Sequence, residues 1–115
     1  MGDALALSED VEKQLASSWA KIAKERLGKG PGGITIDCCG SVLMVTLHQT
    51  LTPFERTVAQ AAGGWESVRT LREQVMQVLV ADFAGILLHH GYKARLMFHE
   101  VDIEADRQMV AFRIS

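Results

Sequence analysis

The stretch that most limits the fold runs from Gly28-Lys29-Gly30-Pro31-Gly32-Gly33, through two apolar segments, to Leu51-Thr52-Pro53-Phe54-Glu55. It contains a helix stop, a loop, a β-hairpin and a helix start. Gly28 supplies a left-handed stop and Pro31 forbids continuation of the helix before it. Ile34, Ile36 and Cys38 alternate with Thr35, Asp37 and Cys39, the pattern of a half-buried strand. Gly40-Ser41 is a tight turn by composition. Residues 42–47 are apolar on both faces, which predicts a central or doubly covered strand. Thr52, Pro53 and Glu55 then combine a capping residue, a proline suited to the first helical position and a capping-box glutamate.

The flanks complete the pattern. Ser8 followed by Glu9 and Asp10 opens a helix over 8–27, with Val11, Leu15, Trp19, Ile22 and Leu27 as its apolar stripe. Lys21, Lys24 and Arg26 suit its negative end. The second helix runs from Thr52 to Ala62 and is broken or kinked at Gly63-Gly64. It resumes at Trp65, carries Val68, Leu71, Val75, Val78, Leu79, Phe83, Ile86 and Leu87 to His90, and ends at Gly91. A last hairpin follows, Ala94 to Val101 out and Met109 to Ile114 back, with a turn over 102–107. The order α-β-β-α-β-β predicts an α+β two-layer sandwich: a four-stranded, mainly antiparallel sheet with its helices on one face. All of 1–115 reads as one domain, with 1–7 a loose tail.

Composition excludes more than it identifies. A net charge of −2 and a pI near 6.0 give no drive toward nucleic acid or an anionic membrane, so no nucleic-acid partner is expected. No run reaches the ~18 apolar residues of a membrane span, and the amino terminus lacks a signal peptide's basic region. Direct membrane insertion is therefore not expected. Cys38 and Cys39 are neighbours on a strand and point to opposite faces, the arrangement of two small hydrophobes in a reducing cytoplasm, with a redox sensor as the alternative, rather than of a disulfide.

Candidate chemistry is sparse. His48, His89, His90 and His99 make no zinc spacing, so no metal and no cofactor is expected. Asp102, Glu104 and Asp106 are spaced like the start of a calcium loop, but the required glycine and distal glutamate are missing, which leaves a solvated hairpin tip. No serine or threonine has a partnered His and Asp, so no catalytic residue is assigned and a non-enzyme is expected. The glycine loop has the wrong order for a phosphate loop, which needs a strand before it and a helix after it. Binding residues are expected at Gly28, Lys29, Gly30 and Pro31 and at Thr52, Pro53, Glu55 and Arg56, where the two motifs meet at one end of the sheet. The surplus of apolar surface on strand 42–47 predicts a homo-oligomer, a dimer first, with Val42, Met44 and Trp65 at its interface.

Gly28-Lys29-Gly30-Pro31, the strand ending Val45-Thr46-Leu47, Leu51-Thr52-Pro53-Phe54-Glu55, Val101-Asp102 and Val110-Ala111-Phe112 together resemble the MpsC (YbcI-like) family over residues 8–115. The sequence departs from that pattern at Cys38-Cys39-Gly40 and Gly63-Gly64. The resemblance implies a cytoplasmic accessory protein, peripheral to a sodium-dependent membrane potential-generating or bicarbonate-uptake complex. The other subunits of that complex would carry the transport. It carries over no catalytic residue. A small-anion or nucleotide sensor built on Lys29 and Arg56 is the alternative, and a nucleic-acid-binding module the second alternative.

Overall fold

The computed structural model describes residues 7–115. Of the expected tail 1–7, residues 1–6 lie outside that range, and Leu7 packs against the core. Helix α1 spans Glu9–Leu27. Ser8 caps it by accepting the Val11 N–H at 3.1 Å, and Gly28 closes it at φ 82°. Its stripe buries Leu15, Trp19 and Ala23 completely, with Val11, Ile22 and Leu27 packed at the margins.

Strands β1 (Gly33–Cys39) and β2 (Val42–His48) form the first hairpin, and β3 (Ala94–Asp102) and β4 (Arg107–Ile114) the second. The sheet order is β1-β2-β4-β3, antiparallel at every step. Strand β2 is central, as its two apolar faces predict. Alternation sorts the side chains into two sets. Ile34, Ile36 and Cys38, then Leu43, Val45 and Leu47, then Val110, Phe112 and Ile114 face the helices. Among the described residues no helix covers the other face. Across its middle, Asp37, Met44, Ala111 and Phe98 stand in register. One strand neighbour along, the row is Cys39, Val42, Arg113 and Arg95; on the other side it is Thr35, Thr46, Met109 and Glu100. A bulge between Leu96 and Phe98 brings Phe98 to this open face.

The segment after β2 forms two helices, α2 (Pro53–Gln60) and α3 (Gly64–His89), so the observed order is α-β-β-α-α-β-β. The backbone dictates the break. Ala61 is extended, at φ −76° and ψ 161°, and Gly63 turns left-handed at φ 72°. A Cβ on Gly64 would lie 1.7 Å from the Val58 carbonyl oxygen, so only glycine lets α3 start this close to α2. Helix α3 runs antiparallel to α1 in the same layer: Arg26, near the end of α1, bonds Asp82 of α3, and Lys13 and Ser17 lie beside His89. Trp19 and Phe83 stack between the helices at 5.0 Å, a contact worth about 0.5–1.5 kcal/mol beyond its area. Not all of α3's apolar residues face inward. Val68, Met76, Leu79, Phe83 and Leu87 are buried, but Leu71 and Val78 are exposed.

Candidate functional site

At one end of the sheet four segments converge: the loop after α1, the end of β2, the start of α2 and the β3–β4 turn. Their hub is the short connection from Gln49 to Thr52. Asp106, the last residue of the turn, is buried at φ 52°. Its Oδ1 accepts the backbone N–H groups of Thr50 (2.9 Å) and Leu51 (3.0 Å). Its Oδ2 accepts from the Arg56 guanidinium at 2.5 Å. A carboxylate that takes two backbone donors and a guanidinium has little accepting capacity left.

Glu55 fastens the same connection from the helix side. It completes the capping box with Thr52 and accepts two bonds from Arg72, one of them to Nε at 2.6 Å. Arg72 is 1% exposed and also donates to the Thr50 carbonyl at 2.8 Å. Burial works to raise the Glu55 pKa, but the Arg72 and Thr52 donors outweigh it and hold the carboxyl below its ordinary range. Gln108 donates to the Thr50 hydroxyl at 2.5 Å. Among the described residues, Arg72 Nη1 and Gln108 Oε1 have no partner.

The structure places the expected binding residues as follows. Gly28 is the α1 cap, and Gly30 lies beside the Lys24 side chain. Lys29 reaches across to the carbonyls of Gln49 (3.1 Å) and Leu51 (3.5 Å), which joins the Gly28–Pro31 loop to the Thr52–Arg56 helix start. Thr52 and Pro53 cap and begin α2. Arg56 holds Asp106. Val42 and Met44 share the open sheet face, but Trp65 stands at the other end of the strands, against the β3–β4 turn, so the three do not make one surface. Trp65 lines two neighbouring cavities. One, of about 350 Å³, is lined by Glu66, Arg69 and residues 100–104; the other, of about 170 Å³, by Leu51, Arg56, Ala59, Gln60, Ile103 and Glu104.

The turn reading is corrected at one residue. Asp106 is not part of a solvated tip; the chain reversal carries it under the connection it bonds, while Glu104 and Ala105 stay exposed. Arg72, Thr50 and Gln108 also escaped the sequence reading. Arg72 had a readable signal: it falls in the buried stripe with Val68 and Met76, where an arginine needs an acid. Among the described residues no group of three His, Cys, Asp or Glu is placed to hold a metal ion, and no helix is long and apolar enough to cross a membrane.

The fold and this fastening define a small two-layer α+β protein whose charged groups at the sheet end bind its own loops together. The chain belongs to the MpsC family: the family model described as the Na+-translocating membrane potential-generating system (MpsC) matches residues 8–115. Its role is thereby linked to such a system. No curated protein and no solved structure matches it.

Proposed function

We propose that the chain is a non-catalytic accessory module that docks, on the cytoplasmic side, onto a subunit of the Na+-translocating membrane potential-generating system. The observation that carries this reading is the open sheet face. Its centre is mainly apolar: Val42, Met44, Met109 and Phe98 surround the fully buried Ala111, with Thr46 beside Met109, and Phe98 is 44% exposed although it lies mid-strand. Asp37, Glu100, Arg95 and Arg113 border that centre with both signs of charge. An apolar centre inside a polar rim is the anatomy of a protein–protein contact, and the mixed rim fits a soluble face of a protein subunit better than an anionic lipid surface. Lys29 and Arg56, the cations an anion sensor would use, already bind the chain's own oxygens.

The test is capture from detergent-solubilised native membranes with the tagged chain, followed by peptide mass analysis. Wild type is expected to retain an ion-translocating membrane subunit, and Met44→Glu or Phe98→Glu to lower its recovery by about tenfold or more. Recovery of no such subunit, or equal recovery by both variants, would sink the reading.

A further inference from the structure

Five of the seven arginines are paired with a carboxylate: Arg26 with Asp82, Arg56 with Asp106, Arg69 with Glu73, Arg72 with Glu55 and Arg107 with Asp102. The other two, Arg95 and Arg113, are direct partners in the β3–β4 ladder. That ladder treats charge differently at its two ends. Near the turn it sets Asp102 opposite Arg107, with Oδ2 and Nη2 3.7 Å apart, as cross-strand charges are normally arranged. At the far end it sets arginine opposite arginine, which costs stability unless something anionic lies between them. Lys93 and Ser115 exchange both backbone hydrogen bonds, each at 3.0 Å. The pair two residues along, Arg95 and Arg113, is therefore also of the hydrogen-bonded kind, with Cα atoms about 5.5 Å apart. Alternation puts Lys93, Arg95 and Arg113 on one face of the sheet. All three are exposed, and with Ser41 and Ser115 they line an open cavity of about 420 Å³. Among the described residues none of the three side chains has an ion-pair or hydrogen-bond partner, the Ser115 terminus included. No acidic side chain lines the cavity. On the same face, Asp37 stands two strands from Arg113, Glu100 lies beyond Phe98, and Asp102 is taken by Arg107.

We propose that Lys93, Arg95 and Arg113 form a binding site for a dianionic phosphate group, that of inorganic phosphate or of a phosphate monoester. Three positive charges exceed what a single carboxylate answers. The two oxygens of a carboxylate are filled by one guanidinium fork, whereas a phosphate dianion offers oxygens to two forks and an ammonium at once. Two forks that rise from adjacent strands, their Cα atoms about 5.5 Å apart, converge on one tetrahedral anion without movement of the backbone. The Ser41 hydroxyl, at the edge of the cavity, adds a further donor. The bound phosphate also removes the repulsion between the two arginines, so binding and stability are linked. A phosphate monoester free in solution and the headgroup of phosphatidic acid present the same chemistry. The site lies beyond Val42, at the rim of the open sheet face, and its occupancy does not depend on docking there.

Titration of the full chain with inorganic phosphate, followed by amide NMR shifts, tests it. The ionic strength is held constant with chloride, at a pH where phosphate is mainly dianionic. The expected result is a saturable shift centred on Ser41, Lys93, Arg95 and Arg113, with Kd raised about tenfold or more in Arg95→Gln and in Arg113→Gln. Arg95→Lys keeps the charge and loses the fork, so its Kd is expected between those values. Arg69→Gln, which removes a cation from α3, is expected to bind as wild type does. Without phosphate, Arg95→Gln is expected to melt no lower than wild type, because it relieves a cross-strand repulsion; this separates loss of binding from loss of fold. Vesicles of phosphatidylcholine, alone or with phosphatidic acid or phosphatidylserine, distinguish the sources. Co-sedimentation with phosphatidic acid that needs Arg95 and Arg113, without a response to free phosphate, places the phosphate on a lipid. Shifts that do not saturate, a Kd unchanged in both glutamine variants, or equal binding to phosphatidylserine and phosphatidic acid would overturn the site. Failure of membrane capture leaves it intact, so this reading and the docking reading fail separately.

Discussion

Helices α1 and α3 lie side by side in one layer, yet they meet water differently. Over its 19 residues α1 carries eight charged side chains, Glu9, Asp10, Glu12, Lys13, Lys21, Lys24, Glu25 and Arg26. Over its 26 residues α3 carries five, Glu66, Arg69, Arg72, Glu73 and Asp82; Arg72 is buried, and only Asp82 lies beyond Glu73. Both bury an inward stripe, wholly apolar in α1 and interrupted by Arg72 in α3. The outward faces are not: α1 ends in solvent, whereas the second half of α3 presents apolar and small residues. Leu71, Val78 and Leu88 therefore meet water on the side of α3 opposite its buried stripe.

The comparison breaks most sharply on α3 itself, between its two sides. Phe83→Ala empties a fully buried site stacked on Trp19 and is expected to cost about 3–5 kcal/mol. Leu88→Ala on the outer side, measured in dilute protein, is expected to stay within about 0.5 kcal/mol of wild type. Urea unfolding followed by circular dichroism reads both. Equal losses at the two positions would mean that the outer face is packed within the monomer after all.

That division was only partly legible in the sequence. The caps, the turns and the central position of β2 follow from local chemistry, so Ser8, Gly28, Gly40-Ser41 and the Thr52–Glu55 box fall where the pattern puts them. Gly63-Gly64 marked the interruption of the long helix, but its geometry depends on the approach of Gly64 to Val58, a contact that composition does not reveal. The apolar residues of α3 were legible as apolar, but not as belonging to two opposite faces. The expected binding motifs do converge through Lys29, but the residues that tie the convergence, Asp106 and Arg72, come from 50 and 17 positions away from their partners Arg56 and Glu55. Pairing over such separations is fixed by topology, which is why Asp106 read as a solvated turn residue.

A second, smaller loss is expected where the buried charges stand in for apolar packing. In Glu55→Gln, Arg72 keeps its burial and loses its counter-charge, at a cost of about 2–3 kcal/mol at neutral pH. The pH dependence gives the sign. The folded-state pKa of Glu55 lies below its reference of 4.5, so its contribution is present above that value and disappears as pH falls through the depressed folded pKa. Wild type should therefore lose stability below about pH 4.5, while the variant shows a flatter acid limb. Parallel acid limbs for the two proteins would mean that Arg72 is balanced by another group.

The smallest effect falls on the outer side of α3. Gly85→Ala adds one methyl group where the monomer has open space and removes a flexible residue from the middle of a helix. In dilute protein it is expected to stabilise by about 1 kcal/mol, a rise of about 4 °C in melting temperature for a domain of this size. Calorimetry of the two proteins in dilute solution reads the difference. A loss of stability in Gly85→Ala would mean that the added methyl group meets an atom where the helix face is open.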